Sequence, residues 1–302
     1  MTHPTRRTIL ATTAAALAAP LVHAKSMIDL DARKLAELER KSGGRLGVFL
    51  LDTGTGRSLG HRVDERFAMC STFKMALAAA ILQRVDQGKL ALDAVVPYTR
   101  ADLLAYAPVT EANLAKGGMT IGDLAQAAQK QSDNAAANLL LKQIGGPEGF
   151  TQFFRSIGDG VTRLDRYEPH MNDVKPGDER DTTTPAAMAA TMAKILTGEL
   201  LAPASRALLI DWMIETKTGA KRIRAGLPAG WRAGDKTGTS GDGKYNDIAI
   251  AWPSGKAPLI ITAYFNAPAA SSEMNDENQA VLAEVGRIAA AWGTLGTGRT
   301  GE

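Results

Sequence analysis

A lysine follows a serine by three positions inside an otherwise apolar stretch, FAMCSTFKMALAAAIL at residues 67–82. If this stretch is a helix that begins near Ser71, then Ser71 and Lys74 share one face, with Cβ atoms about 5–6 Å apart. Lys74 lies between Phe73 and Met75, so its amine needs either water or a polar partner. An amine beside a hydroxyl at a helix N-terminus could activate a serine nucleophile without a histidine. The S-x-x-K spacing alone does not distinguish this chemistry from an ordinary N-cap at Ser71.

Two more polar stretches follow downstream, and each alone also has a plain structural interpretation. Ser-Asp-Asn at residues 132–134 precedes an apolar helical pattern and could be an N-cap cluster. Lys-Thr-Gly-Thr at residues 236–239 follows strand-like sequence and could form a hairpin turn. Their order along the chain, after Ser71 and Lys74, makes a coincidence of three structural features improbable.

An irregular segment separates these two stretches. Residues 162–182 contain ten charged residues and two prolines, show no sustained period, and include Glu168 and Asn172. A loop of this length inside a compact domain is usually functional or disordered. An ion pair between Arg166 and Asp181 across its two ends would favour an ordered loop, whereas a solvated surface loop is the alternative.

The apolar periodicity predicts the elements that must position these side chains. Strand blocks that follow one another without βαβ alternation predict one mostly antiparallel sheet, whose first and last strands pair across a helical insertion. We therefore expect an α+β fold with N- and C-terminal helices on one sheet face, an all-α insertion, and the site in the cleft between them. The predicted helices are 28–41, 71–86, 120–130, 133–143, 147–156, 185–197, 203–215 and 275–294; the predicted strands are two within 45–62, then 231–239, 245–252 and 258–266. The expected domains are 25–62 plus 216–302 (α/β) and 63–215 (all-α, with an Ω-type loop at 162–182).

The N-terminal residues have the pattern of an export signal. Residues 1–24 have a basic start, a modestly apolar stretch, no acidic residue and a small-residue end at Ala24. Arg6 and Arg7 resemble a twin-arginine signal, for which an ordinary secretory signal is the alternative. Both routes predict a periplasmic protein.

The composition of the remaining 278 residues excludes several classes of function. Without Arg6 and Arg7 the basic residues number 33 against 32 acidic ones, which argues against binding to nucleic acid or anionic membranes by bulk charge. Only His61 and His170 remain, more than a hundred residues apart, so a zinc site or a Ser-His-Asp triad is hard to build. Cys70 is the one cysteine, so no intrachain disulfide can form. A hydrolase of this composition would take lysine or a carboxylate as its base.

The set S-x-x-K, S-D-N and K-T-G, with E-x-x-x-N at residues 168–172 and DERDTT at 178–183, resembles the class A serine β-lactamases along nearly the whole chain after residue 24. That resemblance implies an α/β domain beside an all-α domain, which agrees with the order of elements. It implies small β-lactam substrates, no cofactor or metal, and a monomer. The alternatives are a D-alanyl-D-alanine carboxypeptidase or a penicillin-sensing domain, and the presence of Glu168 with Asn172 argues against both.

The resemblance also implies roles for individual residues. Ser71 would open the lactam to give an acyl-enzyme, with its own N–H and that of Thr239 as the oxyanion hole. Lys74 and Glu168, the latter through a water, are both candidates for the base in acylation. Glu168 with Asn172 would hold and deprotonate the water that hydrolyses the ester.

The remaining implied roles concern the substrate. Ser132 would pass a proton to the leaving nitrogen, with Lys236 beside it, and Asn134 would bond the substrate's side-chain amide. Arg222 is the candidate for a supporting arginine, with a surface position as the alternative. Tyr106 is the candidate for an aromatic wall, with simple packing as the alternative. The strand residues expected near the substrate carboxylate are Lys236, Thr237, Gly238 and Thr239.

Four positions depart from the family pattern or have no assigned role. Met171 and Tyr167 replace the usual Leu and Trp of the loop and keep its apolar bulk. Cys70 is expected to be packed and inert. Ser240 either loosens the site for bulky cephalosporins or does nothing.

Overall fold

The computed structural model describes residues 31–269 and 274–294. The expected signal peptide, residues 1–24, lies outside these ranges. Within them, none of the helices combines the length and apolar character needed to cross a bilayer. The strands are β1 (Arg45–Asp52), β2 (Ser58–His61), β3 (Phe67–Ala68), β4 (Val95–Pro97), β5 (Gly118–Thr120), β6 (Thr182–Thr183), β7 (Arg232–Ser240), β8 (Lys244–Trp252) and β9 (Leu259–Asn266).

Five of these strands form one antiparallel sheet in the order β2-β1-β9-β8-β7. β1 pairs with β9 from Arg45–Asn266 to Asp52–Leu259, so the prediction that the first and last strands pair is confirmed. The β1–β2 turn is held by Asp52, whose carboxylate accepts from the N–H groups of Gly54 and Thr55. The chain enters this sheet, leaves it for the helical part and returns.

The helices pack on both faces of the sheet, and the period of two along the strands divides the core accordingly. In β8, Ile248 and Ile250 face the helical insertion, whereas Ala249 and Ala251 face the terminal helices. The helices are α1 (31–42), α2 (Phe73–Asp86), α3 (Pro108–Ala112), α4 (Ile121–Lys130), α5 (Asn134–Gln143), α6 (Gly146–Ser156), α7 (Pro185–Leu196), α8 (Pro203–Ile214), α9 (Ile223–Gly226) and α10 (Asp276–Thr294). The α+β prediction is confirmed, including the terminal helices α1 and α10 on one sheet face.

Several short elements do not follow the predicted boundaries. The predicted helix 71–86 begins at Phe73, because residues Cys70–Thr72 form a 3-10 turn instead. The long loop contains a 3-10 turn at His170–Asn172 and ends at β6, which pairs with β3. This pairing brings the end of the loop back beside the start of α2.

Candidate active site

Ser71 lies on the 3-10 turn before α2, with its side chain in the cleft. The N-cap of α2 is Thr72, so the N-cap interpretation of Ser71 is wrong. Ser71 Oγ accepts a hydrogen bond from Lys74 Nζ at 3.0 Å and lies 3.4 Å from Glu168 Oε1, to which it donates. The preceding residue, Cys70, has φ +45°, a left-handed conformation unusual outside glycine. The strained turn presents the hydroxyl to two candidate bases.

Lys74 is fully buried, and its amine has polar partners from two other segments. It donates to Ser132 O at 2.8 Å and to Asn134 Oδ1 at 2.5 Å, and it forms an ion pair with Glu168 Oε1 at 3.2 Å. Burial lowers the pKa of Lys74, and the neighbouring Glu168 carboxylate opposes that shift. The sequence predicted a polar partner for this buried amine, and the structure provides several oxygen atoms.

Residues 132–134 combine a structural role with two side chains directed at the site. The N-cap interpretation holds for Asp133, which accepts from Ala136 N at 2.9 Å and also from the N–H groups of Val109 and Thr110. Ser132 has φ +59° and accepts from Lys236 Nζ at 3.0 Å. Its Oγ is also 3.5 Å from Lys74 Nζ, so one hydroxyl lies between two lysines.

Residues 236–239 are part of strand β7, so the hairpin-turn interpretation is wrong. Lys236 is buried, and burial together with Lys74 lowers its pKa well below the usual range. A Cβ at Gly238 would lie 2.8 Å from Met69 O and 3.2 Å from Ser71 N. Only glycine lets the strand run this close to the turn that carries Ser71.

Arg222 supports this strand from behind and is 1% exposed, so the surface-arginine alternative is wrong. It donates to Gly238 O at 2.9 Å and to Thr239 Oγ1 at 2.6 Å. Burial lowers its pKa, and Asp247 opposes the shift. Tyr106 is half exposed, and its carbonyl accepts from Asn134 N at 3.1 Å, which places it beside the Asn134 stretch.

Glu168 is held from both its backbone and its side chain. Asn172 Nδ2 donates to Glu168 Oε2 at 2.6 Å, which leaves Oε1 toward Lys74 and Ser71. Asn138, which the sequence analysis missed, clamps the backbone: Glu168 N donates to Asn138 Oδ1 at 3.0 Å, and Asn138 Nδ2 donates to Glu168 O at 2.9 Å. Its position one helical turn after Asn134 was the only sequence signal.

The long loop is pinned as its charge pattern suggested. Arg166 Nε donates to Asp181 Oδ2 at 2.6 Å, and Asp181 is fully buried. Met171 is also fully buried, whereas Tyr167 is partly exposed. The loop is therefore an ordered wall of the cleft.

Cys70 and Ser240 lie beside the nucleophile turn and at the end of β7. Burial raises the pKa of Cys70 to about 12, in keeping with a packed, unreactive thiol. Ser240 Oγ donates to the carboxylate of Asp242 in the β7–β8 turn.

Comparison with known proteins places this geometry in a family. A family model described as the beta-lactamase enzyme family matches residues 31–292. The chain is 52% identical to β-lactamase L2 of Stenotrophomonas maltophilia over 85% of this chain and 84% of the relative. It is 57% identical, with a TM-score of 0.83, to the structure of a class A β-lactamase from the last common ancestor of Gram-negative bacteria, over 87% of this chain and 98% of that one. A β-lactamase structure from Xanthomonas campestris has 49% identity and a TM-score of 0.84, over 87% and 97% of the two chains. The chain belongs to the class A serine β-lactamases.

Proposed function

We propose that this chain hydrolyses the β-lactam amide bond of penicillins and cephalosporins through acylation of Ser71 and Glu168-assisted deacylation, and thereby gives antibiotic resistance. The observation that carries the proposal is the position of Glu168. Its carboxylate lies 3.4 Å from Ser71 Oγ and is fixed by Asn172 on its other oxygen. A base held there can deprotonate a water beside the ester that Ser71 forms.

Acylation requires a base for the Ser71 hydroxyl, and two groups are in reach. Lys74 Nζ is at 3.0 Å and is favoured by the burial that lowers its pKa. Glu168 Oε1 is at 3.4 Å, within the range of a single bridging water as well as of direct contact. Either base leaves Ser71 as the nucleophile.

Departure of the lactam nitrogen requires a proton, and Ser132 is the proposed donor. Its hydroxyl accepts from Lys236 Nζ at 3.0 Å and is also 3.5 Å from Lys74 Nζ. Two lysines beside one hydroxyl favour loss of its proton to the leaving nitrogen, since whichever lysine is protonated at that point can replace the proton.

The edge of β7 is the proposed site for the substrate carboxylate. Lys236, Thr237 and Thr239 supply an ammonium and two hydroxyls there, with Arg222 behind Thr239. Thr237 Oγ1 shares a 2.6 Å hydrogen bond with Thr218 Oγ1, which fixes its rotamer. The remaining proposed contacts are the Ser71 and Thr239 N–H groups as oxyanion hole, Asn134 at the side-chain amide, Gly238 at the strand edge and Tyr106 at the entrance.

We also propose that residues 1–24 are an export signal read through Arg6 and Arg7, and that the mature chain works as a periplasmic monomer. Support comes from the residue pattern of the N-terminus and from the single, buried cysteine, which suits folding in a reducing compartment before export.

Replacement of Glu168 by Gln tests the mechanism. The lactam should still open on Ser71, but the ester should persist, because loss of a positioned base typically costs about 10²–10⁴-fold in rate. Intact-protein mass spectrometry after mixing with benzylpenicillin should show a stable adduct of one whole drug mass, located on Ser71 by digestion and absent in Ser71→Ala.

The matched control is Glu179→Gln, which removes a carboxylate from the same loop. The Glu179 side chain is exposed and pairs with Arg66 at 3.7 Å. That variant and the unmodified chain should hydrolyse the drug with little adduct. Near-normal turnover by Glu168→Gln would exclude the proposed deacylation, and the absence of an adduct in every variant would exclude Ser71 as the nucleophile.

A further inference from the structure

The turn between β7 and β8 carries a charged pair that none of the sequence motifs includes. Lys244, the first residue of β8, pairs with Asp242, which also accepts from Ser240 Oγ. The Lys244 side chain is only 8% exposed. Burial opposes ionisation of Asp242, but the hydrogen bonds from Lys244 and Ser240 outweigh it and lower the pKa of this carboxyl. The turn therefore contains a nearly buried ammonium with a charged carboxylate beside it.

The same ammonium reaches across the cleft wall to the long loop. Lys244 Nζ lies 3.5 Å from the carbonyl oxygen of Asn172, to which it donates. Asn172 in turn donates its amide to Glu168 Oε2 at 2.6 Å. A continuous chain of contacts thus runs from the β7–β8 turn through Lys244 and Asn172 to Glu168.

The backbone of the turn is held by hydrogen bonds from Gly243 N to Ser240 O at 3.2 Å and from Ala267 N to Gly243 O at 2.8 Å, neither of which reaches the long loop. Gly241 and Gly243 flank Asp242, Gly243 has φ +87°, and a Cβ built at Gly241 would meet open space. A turn of this composition has few side-chain contacts and large backbone freedom. The Lys244 side chain, in contrast, joins this end of the sheet to the loop.

We propose that Lys244 is a positioning residue that ties the β7–β8 turn to the Asn172 backbone and so keeps the Asn172 amide on Glu168 during deacylation. This inference rests on the function proposed above, in which Glu168 and Asn172 hold the hydrolytic water.

The two carboxylate oxygens of Glu168 have different partners, so loss of the Lys244 contact should slow deacylation and leave acylation nearly unchanged. Oε1 faces Lys74 at 3.2 Å and Ser71 at 3.4 Å, and neither contact involves the β7–β8 turn. Oε2 depends on Asn172. Loosening Asn172 should therefore disturb the water site while Ser71 and Lys74 keep their geometry.

The test compares Lys244→Met, which keeps the length of the side chain without its charge, with Lys244→Arg, which keeps the charge and the donors. Acylation and deacylation by benzylpenicillin are measured separately by rapid quench and intact-protein mass spectrometry. The expected result for Lys244→Met is about tenfold slower deacylation with acylation changed by less than about threefold, so the acyl-enzyme accumulates. Lys244→Arg should deacylate within about threefold of the unmodified chain.

Lys175→Met is the matched control, because Lys175 pairs with Asp173 at 2.5 Å on the exposed side of the same loop. It should behave as the unmodified chain. Unchanged deacylation in Lys244→Met, equal slowing of both steps, or an Arg variant as slow as the Met variant would each overturn the proposal. If Lys244→Met does not fold, Asp242→Ala decides, since it removes the partner of the ammonium at the exposed tip: several-fold slower deacylation supports the tether and unchanged deacylation refutes it.

Glu168→Gln, measured in the same series, separates the two proposals. Failure of that variant to accumulate the ester would exclude the proposed function whatever Lys244 does. A trapped ester in Glu168→Gln beside normal deacylation in Lys244→Met would exclude only the tether.

Discussion

The Arg166–Asp181 pair is expected to hold the long loop against the cleft, and Asp181→Asn is the perturbation that tests it. Asp181 is buried and accepts three hydrogen bonds: from Asp165 N at 2.7 Å, from Arg166 N at 3.0 Å and from Arg166 Nε at 2.6 Å. The amide of Asn keeps one acceptor oxygen for the two backbone N–H groups. It presents an NH₂ to the guanidinium, which also only donates, so the side-chain bond is lost.

The size of the effect follows from two opposing contributions. A hydrogen bond between charged groups is worth about 1.5–3 kcal/mol. Burial raises the pKa of Asp181 even with Arg166 beside it, so the folded protein is already disfavouring this charge, and a neutral amide removes part of that cost. The Arg166 side chain remains 21% exposed and regains water. We therefore expect a loss of about 1–2 kcal/mol, a factor of about 5–30 in the equilibrium between closed and open loop.

The assay measures turnover of benzylpenicillin and of a cephalosporin with a bulky side chain, together with hydrogen exchange of residues 162–182. Benzylpenicillin turnover should fall several-fold because Glu168 moves with the loop, exchange should accelerate, and the bulky substrate should lose less activity or gain some. Asp178→Asn, which breaks the exposed pair with Arg180 at 2.8 Å in the same loop, is the control and should change neither. Unchanged turnover of both substrates by Asp181→Asn would refute the argument.

Two further predictions concern regions away from the loop. Burial opposes ionisation of Glu39, but hydrogen bonds from Arg62, His61 and the Leu46 N–H outweigh it and lower its pKa to about 2. Glu39→Gln should therefore lower the free energy of unfolding at neutral pH. We expect a loss of about 2 kcal/mol, which allows for the partial exposure of this carboxylate. Because the pKa is depressed in the folded state, this difference should persist down to about pH 4.5 and shrink as pH falls toward 2, as urea titrations would detect, and a pH-independent difference would contradict the assignment. Replacement of Arg6 and Arg7 by lysines should leave folded, unprocessed protein in the cytoplasm, and normal secretion in a fractionation assay would point to the general secretory route.

The larger elements could be predicted because their apolar positions repeat often enough to show a period. Strands of eight or nine residues, such as β8 and β9, are within one residue of their predicted bounds. Within the described residues, the elements missed were all short: the strands β3, β4, β5 and β6 with two or three residues each, the helices α3 and α9 with five and four, and the 3-10 turns, such as the one at Cys70–Thr72. Segments this short carry no clear period, and β3 and β6 form only because distant parts of the chain pair there.

Distance along the chain likewise separates the site residues that could be predicted from those that could not. Residues within the short motifs could be named, since motif spacing is visible along the chain. Asn138 acts on Glu168 from 30 positions away, and Asn246 donates to Ala68 O and Met69 O across more than 170 positions. The burial of Arg222 could not be read from its basic neighbours, because it results from packing beneath β7. Such partners depend on the tertiary fold, for which sequence spacing provides no signal.

The two buried lysines explain why the site exists only in the assembled fold. An isolated ammonium in a low-dielectric interior is costly, and Lys74 and Lys236 repel one another besides. Their compensating oxygens come from the Ser132 stretch, the long loop and β7 itself, and each lies in a different part of the chain. Separating any of these segments removes part of the oxygens that compensate a buried amine, whereas docking all of them leaves two amines with lowered pKa values beside Ser71 and Ser132. The electrostatic cost of burial therefore lowers the pKa of both amines, which suits the proton transfers proposed above, and the oxygens of the surrounding segments offset that cost.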